Sequence, residues 1–330
     1  MYGSAKSRVS YSRRIFNRWR HAWRVLLGTV AVLWPVGTAH ALQVSPAAPA
    51  GPQAPAASAS ASASASASVI ARPAAGSRID HGPFDALLRA HVVNGFVDYD
   101  AFARAPEFAQ YLTSLDRARL ETLDEDERLA FWINVYNAYT IQLIVSHRET
   151  ASIRNINRTL GVLRLKGPWS EPLVHAAGRT LTLDDVQHRI LRRDFGEPRV
   201  HFTLACGAIG CPPLRSEAYT GPQLVDQLND QAHRFLRRSP EKNRLEERLL
   251  FLSPVLVAFR DDFGPSRQDL ARAVGQWFEG DDRKRLEKGP IFIRATPFDW
   301  ALNSKANANR KPLAAPKIVP RDSVRRAPPM

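Results

Sequence analysis

The strongest rhythm in the chain runs through "LDEDERLAFWINVYNAYTIQLIVSH", residues 123–147, where Leu129, Trp132, Tyr136, Tyr139 and Leu143 recur at helical spacing. Acids crowd the first turn, where they suit the positive end of the helix dipole. Beyond them the segment is apolar nearly all round, and a helix without a polar face has to be buried. The pattern predicts a central buried helix. Two amphipathic segments, "FDALLRAHV" and "PEFAQYLTSLD", read as helices around the extended "GFVDYDAF". "PLVHAAGRTLTL" reads as a hairpin turning at Ala177-Gly178, and Thr182 as the cap of a short helix, "LDDVQHRILRR".

"RVHFTLAC" alternates as a strand, with Val200, Phe202 and Leu204 on one face and His201, Thr203 and Ala205 on the other. Thr220 with Pro222 starts the helix "GPQLVDQLNDQAHRFL", whose Leu224, Leu228, Ala232 and Phe235 form an apolar stripe. "RLLFLSPVLVAF", a helix "RQDLARAVGQWF" and the strand-like "PIFIRATPFDW" follow. Helices and strands mix without regular βαβ alternation. The expectation is an α+β fold: one globular domain over residues 78–302, with a central buried helix and a mixed or antiparallel sheet.

Charge changes the picture at the ends. The formal net charge of the 330 residues is +14, yet residues 1–41 hold seven Lys/Arg and no acid, residues 42–77 hold only Arg72, and residues 303–330 hold seven bases against Asp322. Those segments account for the whole excess, so the central region is electrically balanced and a nucleic-acid face is not expected. The basic start, the apolar run "VLLGTVAVLWPVG" and the small-x-small Ala39-His40-Ala41 read as a signal peptide cleaved after Ala41. An uncleaved N-terminal anchor is the rival reading. Ser12-Arg13-Arg14-Ile15-Phe16 resembles a twin-arginine signal, although more arginines intervene before the apolar run. Residues 42–77, with "ASASASASASAS" from Ala57 to Ser68, have nothing to bury and read as a disordered linker; residues 303–330 read as a basic disordered tail. No later apolar segment is long enough to span a membrane. A periplasmic or secreted destination is therefore expected.

Candidate chemistry gathers in "HFTLACGAIGCPPLR", residues 201–215, which holds the only two cysteines. Pro212 suits the first position of a helix, which would put Cys211 near its N-cap. A helix start and a nearby Arg215 both favour a thiolate, and His188 or His201 offers a base. Cys206, Cys211, His201, His188 and Arg215 are thus the catalytic candidates. The alternatives are a disulfide, as export favours, a pair of buried inert thiols, or a zinc site from His188, His201, Cys206 and Cys211. Asn134 and Asn137 adjoin on the apolar helix, where buried amides either bond neighbouring loops or line a polar pocket. With Trp132 and Trp169 they form a candidate binding set. Asp98 and Asp100 in "VDYD" fall on one side of the expected extended segment. No glycosidase carboxylate pair, phosphate loop or nucleotide fingerprint is present, and no cofactor is expected.

"AFWINVYNAYTIQLI", "SIRNI", "GRTLTLDDVQHRILR", "PRVHFTLACGAIGCPPLRSEAY" and "FDWALN" occur in this order. Together they resemble the bacterial branch of the domain of unknown function 547 family. The resemblance implies the domain and no agreed activity. Some eukaryotic relatives are joined to glutaredoxin-like, membrane- or signalling-associated modules. Plant members often have Ser where this chain has Cys211, and members commonly have an acid where it has Gln187. The leading expectation is a thiol-dependent activity, redox or nucleophilic, toward a small molecule or envelope protein. The rivals are a non-catalytic binding module and a metal-dependent hydrolase.

Overall fold

The computed structural model describes residues 78–157 and 167–313; the expected signal peptide and linker, and the tail beyond 313, lie outside them. Three short helices, α1 (Gly82–His91), α2 (Tyr99–Arg104) and α3 (Pro106–Asp116), lead to the long α4 (Glu125–Ser146). Asp124 caps α4 by accepting from the Glu127 amide at 2.8 Å, and Glu125, Asp126 and Glu127 fill its first turn. From Leu129 to Ile141 every residue of α4 is buried, so the helix is enclosed as its sequence requires. The fold is a single α+β domain.

Its strands are short. β1 (Val92–Val93) and β2 (Phe96–Val97) form a hairpin through Asn94-Gly95, and β3 (Val174–Ala176) and β4 (Arg179–Leu181) form another through Ala177-Gly178. Both turn pairs have positive φ, the backbone that matches the twist of a two-residue hairpin. β5 (Arg244–Glu246) pairs antiparallel with β6 (Leu249–Leu252), which pairs parallel with β7 (Phe292–Ala295). That parallel return crosses through α6 (Pro254–Ala258), α7 (Arg267–Gly275) and α8 (Gly280–Lys288), giving a mixed sheet. Among the described residues no helix is long and apolar enough to cross a membrane.

Two apolar clusters share the interior. One surrounds α4; the other joins β6, α7 and α8. The stripe of α5 (Leu224–Arg237) feeds both, with Leu224 and Leu228 in the first and Ala232 and Phe235 in the second.

Four local expectations are corrected. "RVHFTLAC" is no strand: Pro198–Phe202 is a 3-10 turn, capped by Glu197 accepting from the Arg199 amide at 2.9 Å. Val200 and Phe202 look alternating because they enter different clusters. His201 between them is buried at 1% exposure, not turned to a less apolar face. No helix starts at Pro212, so Cys211 is not an N-cap. The segment stays irregular until Gly221–Gln223, a 3-10 turn that leads into α5. In "GFVDYDAF" only Phe96 and Val97 are extended; Asp98 instead caps α2, accepting from the Ala101 amide at 3.1 Å. Thr182 does begin a helix, but Asp185–Phe195 is wound as a π-helix, a rare form that often accompanies functional sites. Asn303, counted with the tail from sequence, is buried, and its side chain donates to the Gly95 carbonyl at 3.1 Å.

Candidate functional site

Two amides on α4 hold the ends of the cysteine segment. Asn137 Nδ2 donates to the Thr203 carbonyl and its Oδ1 accepts from the Ala205 amide, both at 3.0 Å. Asn134 makes the same pair with Tyr219, at 2.8 and 2.9 Å. Each side chain therefore satisfies itself and two backbone groups that the chain would otherwise bury unpaired.

Between these anchors Cys206 and Cys211 form a disulfide, with Cα atoms 5.8 Å apart, and neither remains a free thiol. At its two glycines the closed loop has no room for a side chain. A Cβ on Gly207, whose φ is +84°, would meet Ile144 Cδ1 at 2.8 Å, and one on Gly210 would meet the Phe298 ring at the same distance. The loop edge pairs with the segment after Phe298. The Ile209 amide donates to the Ala301 carbonyl and the Gly210 amide to Asp299, both at 2.8 Å, while the Asn303 amide donates to Gly207 at 3.1 Å.

The far side of this loop is the wall of a cavity of about 480 Å³, a volume suited to a small organic ligand. Cys211 lines it, and the half-buried Cys206 sits at the other sulfur. α5 contributes Gln231 and Arg234, and its C-cap is Arg238; the next loop contributes Glu241 and Lys242; the C-terminal segment contributes Asp299, Arg310 and Lys311. Lys242 Nζ donates to the Cys211 carbonyl at 3.1 Å. Burial pushes the Lys242 ammonium below its ordinary value, against the opposing pull of Glu241 and Asp299. Gln231 donates to the Pro213 carbonyl at 2.6 Å, while its buried Oε1 has no partner.

The histidines gather elsewhere, around Asp262. His201 Nε2 lies 2.7 Å from Asp262 Oδ2, and Arg192 grips the same carboxylate at 2.6 and 2.8 Å. Phe259 stacks flat on His201 with centroids 4.4 Å apart, and the Arg192 guanidinium covers that ring's neighbourhood at 4.7 Å. Arg192 also donates to His188 Nδ1 at 3.0 Å. Burial pushes His201 below the usual imidazole range despite Asp262, so it is neutral near pH 7 and donates its Nε2 proton. Burial raises the Asp262 carboxyl, but the bonds from His201 and Arg192 outweigh it and leave it strongly acidic. His201 Nδ1 is buried without a partner.

The sequence candidates thus occupy separate settings. His188 and His201 join one network, and the cysteines join in one bond. Arg215 pairs with Glu217 and Asp230; Asp230 in turn lies 2.9 Å from Arg234 at the cavity. Trp132 packs edge-on against Phe131, with Arg179 over it at 5.9 Å. Trp169 lies 6.4 Å from Trp300, its buried Nε1 unpartnered. Sequence reading missed Asp262, Arg192 and Lys242. An acid doublet between Phe259 and Phe263 was the available signal for Asp262; Lys242 carried none. Among the described residues no group of three or more His, Cys, Asp or Glu could hold a metal ion.

A family model described as "Protein of unknown function, DUF547" matches residues 120–236. The match supports that family, and it covers every candidate from Trp132 to Arg215, while "FDWALN" and Asp262 lie beyond it. No curated protein and no solved structure matches the chain.

Proposed function

We propose that the chain is an exported thiol–disulfide exchange protein whose working group is the Cys206–Cys211 pair. The observation behind this reading is that the disulfide joins Cys211, a buried residue that lines the cavity, to the half-buried Cys206. A pair of cysteines joined in a disulfide suits an oxidising compartment, in keeping with the signal-like residues 1–41. A thiolate in the cavity attacks the Cys211 sulfur; a new S–S bond forms, the Cys206–Cys211 bond breaks, and Cys206 departs as thiolate. A second thiolate attacks the substrate sulfur of the mixed disulfide and releases Cys211. Two substrate thiols are oxidised to one disulfide, and two electrons reduce the cystine. His201, whose Nε2 proton is committed to Asp262, takes no part in these steps.

The test is a thiol count on the folded, oxidised protein before and after exposure to a small dithiol. Exchange predicts two new thiols at native conditions, appearing without unfolding. A pair reduced only in denaturant would reject it. A second reading, a binding module in which the disulfide is only a staple, is favoured by the loop's pairing with residues 299–303. It predicts that second outcome.

A further inference from the structure

The cavity beside the disulfide is not neutral. Arg234, Arg238, Lys242, Arg310 and Lys311 line it against two acids, Glu241 and Asp299. Asp299 pairs with Arg310 at 3.3 Å, and Arg234 is matched from outside by Asp230. Among the described residues no ion pair joins Arg238 or Lys311 to an acid of the wall, although Asp230 outside it acts on Arg238, and Lys242 spends a hydrogen on the Cys211 carbonyl, an uncharged acceptor. Even with Glu241 opposing them, these groups leave a cationic field beside Cys211. Such a field in a concave site concentrates anions and speeds their arrival.

We infer that the cavity selects small organic thiols that carry a carboxylate, seated with the carboxylate toward Arg238 and Lys311 and the sulfur toward Cys211. Gln231 refines the choice, because its unpartnered buried Oε1 calls for a donor such as an N–H or O–H on the same molecule. The volume of about 480 Å³ fits a ligand of peptide-fragment size and excludes a folded protein. This inference rests on the exchange reading and names its substrate class.

The experiment compares three reductants of similar size on the oxidised full chain: 3-mercaptopropionate, 2-mercaptoethanol and cysteamine. Rates of cystine opening are corrected for each reagent's thiolate fraction. The expected order is anionic, then neutral, then cationic, with about a tenfold advantage of the first over the second at low salt. The advantage shrinks toward unity at high salt, as screening requires. Arg238→Gln, a change at an exposed side chain, removes most of the preference for the anionic thiol over the neutral one. Arg248→Gln, also exposed but outside the cavity lining, keeps the preference and controls for net charge. Equal corrected rates, or a preference untouched by Arg238→Gln, overturn the anionic selection while exchange itself stands. Failure of all three thiols to open the cystine in folded protein overturns both.

Discussion

His201 Nε2 and Asp262 Oδ2 are joined at 2.7 Å across 61 positions of sequence, and the same oxygen receives Arg192 Nε at 2.6 Å. One carboxylate thereby ties the 3-10 turn of His201, the π-helix of Arg192 and the turn after α6 into one block. Removing its charge leaves a guanidinium without its partner and a buried imidazole proton facing a weaker acceptor. Asp262→Asn should lower the unfolding free energy by about 2 kcal/mol, less than a fully buried pair because the carboxylate is a quarter exposed. Urea unfolding measures it, and a loss under a few tenths of a kcal/mol would mean the block is held by packing alone. Because Asp262 is depressed in the folded state, its contribution is fully present above the unfolded carboxylate pKa and is lost progressively as pH falls below it toward the lower folded pKa.

Acid sensitivity should begin earlier, at His81. Burial lowers its pKa from 6.5 to about 4, with Asp80 opposing, and its Nε2 has no partner. The folded pKa lies below the unfolded one, so the unfolded chain takes up a proton that the folded chain refuses. Stability from this group is complete above pH 6.5 and falls by about 3 kcal/mol on approaching pH 4. His201 adds a slope of the same sign. His81→Gln should flatten the curve between pH 6.5 and 4.5 to the part His201 contributes. An unchanged slope would show that His81 is not the titrating group.

Gly95 and Gly178 both turn hairpins with positive φ, +86° and +67°, yet they differ in what surrounds them. A Cβ at Gly95 would lie 2.5 Å from Pro213 Cβ and 2.9 Å from its Cα, whereas at Gly178 nothing comes within 4 Å. Gly178→Ala should therefore cost only the left-handed backbone, about 1 kcal/mol. Gly95→Ala adds a clash with the segment that walls the cavity, for about 3 kcal/mol in all. Thermal unfolding of the two variants decides the matter, and equal losses would mean that Pro213 yields freely.

Legibility in the sequence followed the range of the interaction. The α4 helix was readable because its periodicity is local and its burial complete. The turn at Ala177-Gly178 and the cap at Thr182 were similarly local. The alternation of residues 200–204 misled, because two separate clusters drew Val200 and Phe202 apart and made a turn look like a strand. The pairing of His201 with Asp262, and of the cysteine loop with residues 299–303, depends on contacts across 60 to 100 residues. No spacing rule reports those. The cysteine pair was open between disulfide, reactive thiols, buried inert thiols and metal, and the structure joins the two in one bond with their Cα atoms 5.8 Å apart.

The last expectation concerns what shapes the cysteine loop. It is closed covalently by Cys206–Cys211, and independently by Asn137, which pairs two backbone groups just before Cys206. In the chain-entropy account so short a loop gives about 2 kcal/mol, so the double variant Cys206→Ser, Cys211→Ser should fold and lose about that much. Asn137→Ala removes one side chain but strands the Thr203 carbonyl and the Ala205 amide in the core, and should cost more, about 3 kcal/mol. Hydrogen exchange at the Gly210 amide, bonded to Asp299 at 2.8 Å, reports the loop itself. Protection should survive the serine pair and drop in Asn137→Ala. The order matters for exchange: only a loop that keeps its shape when reduced brings its two sulfurs back together. If the serine pair costs more than Asn137→Ala and frees the Gly210 amide, the disulfide is the frame of the loop, and the staple reading gains what exchange loses.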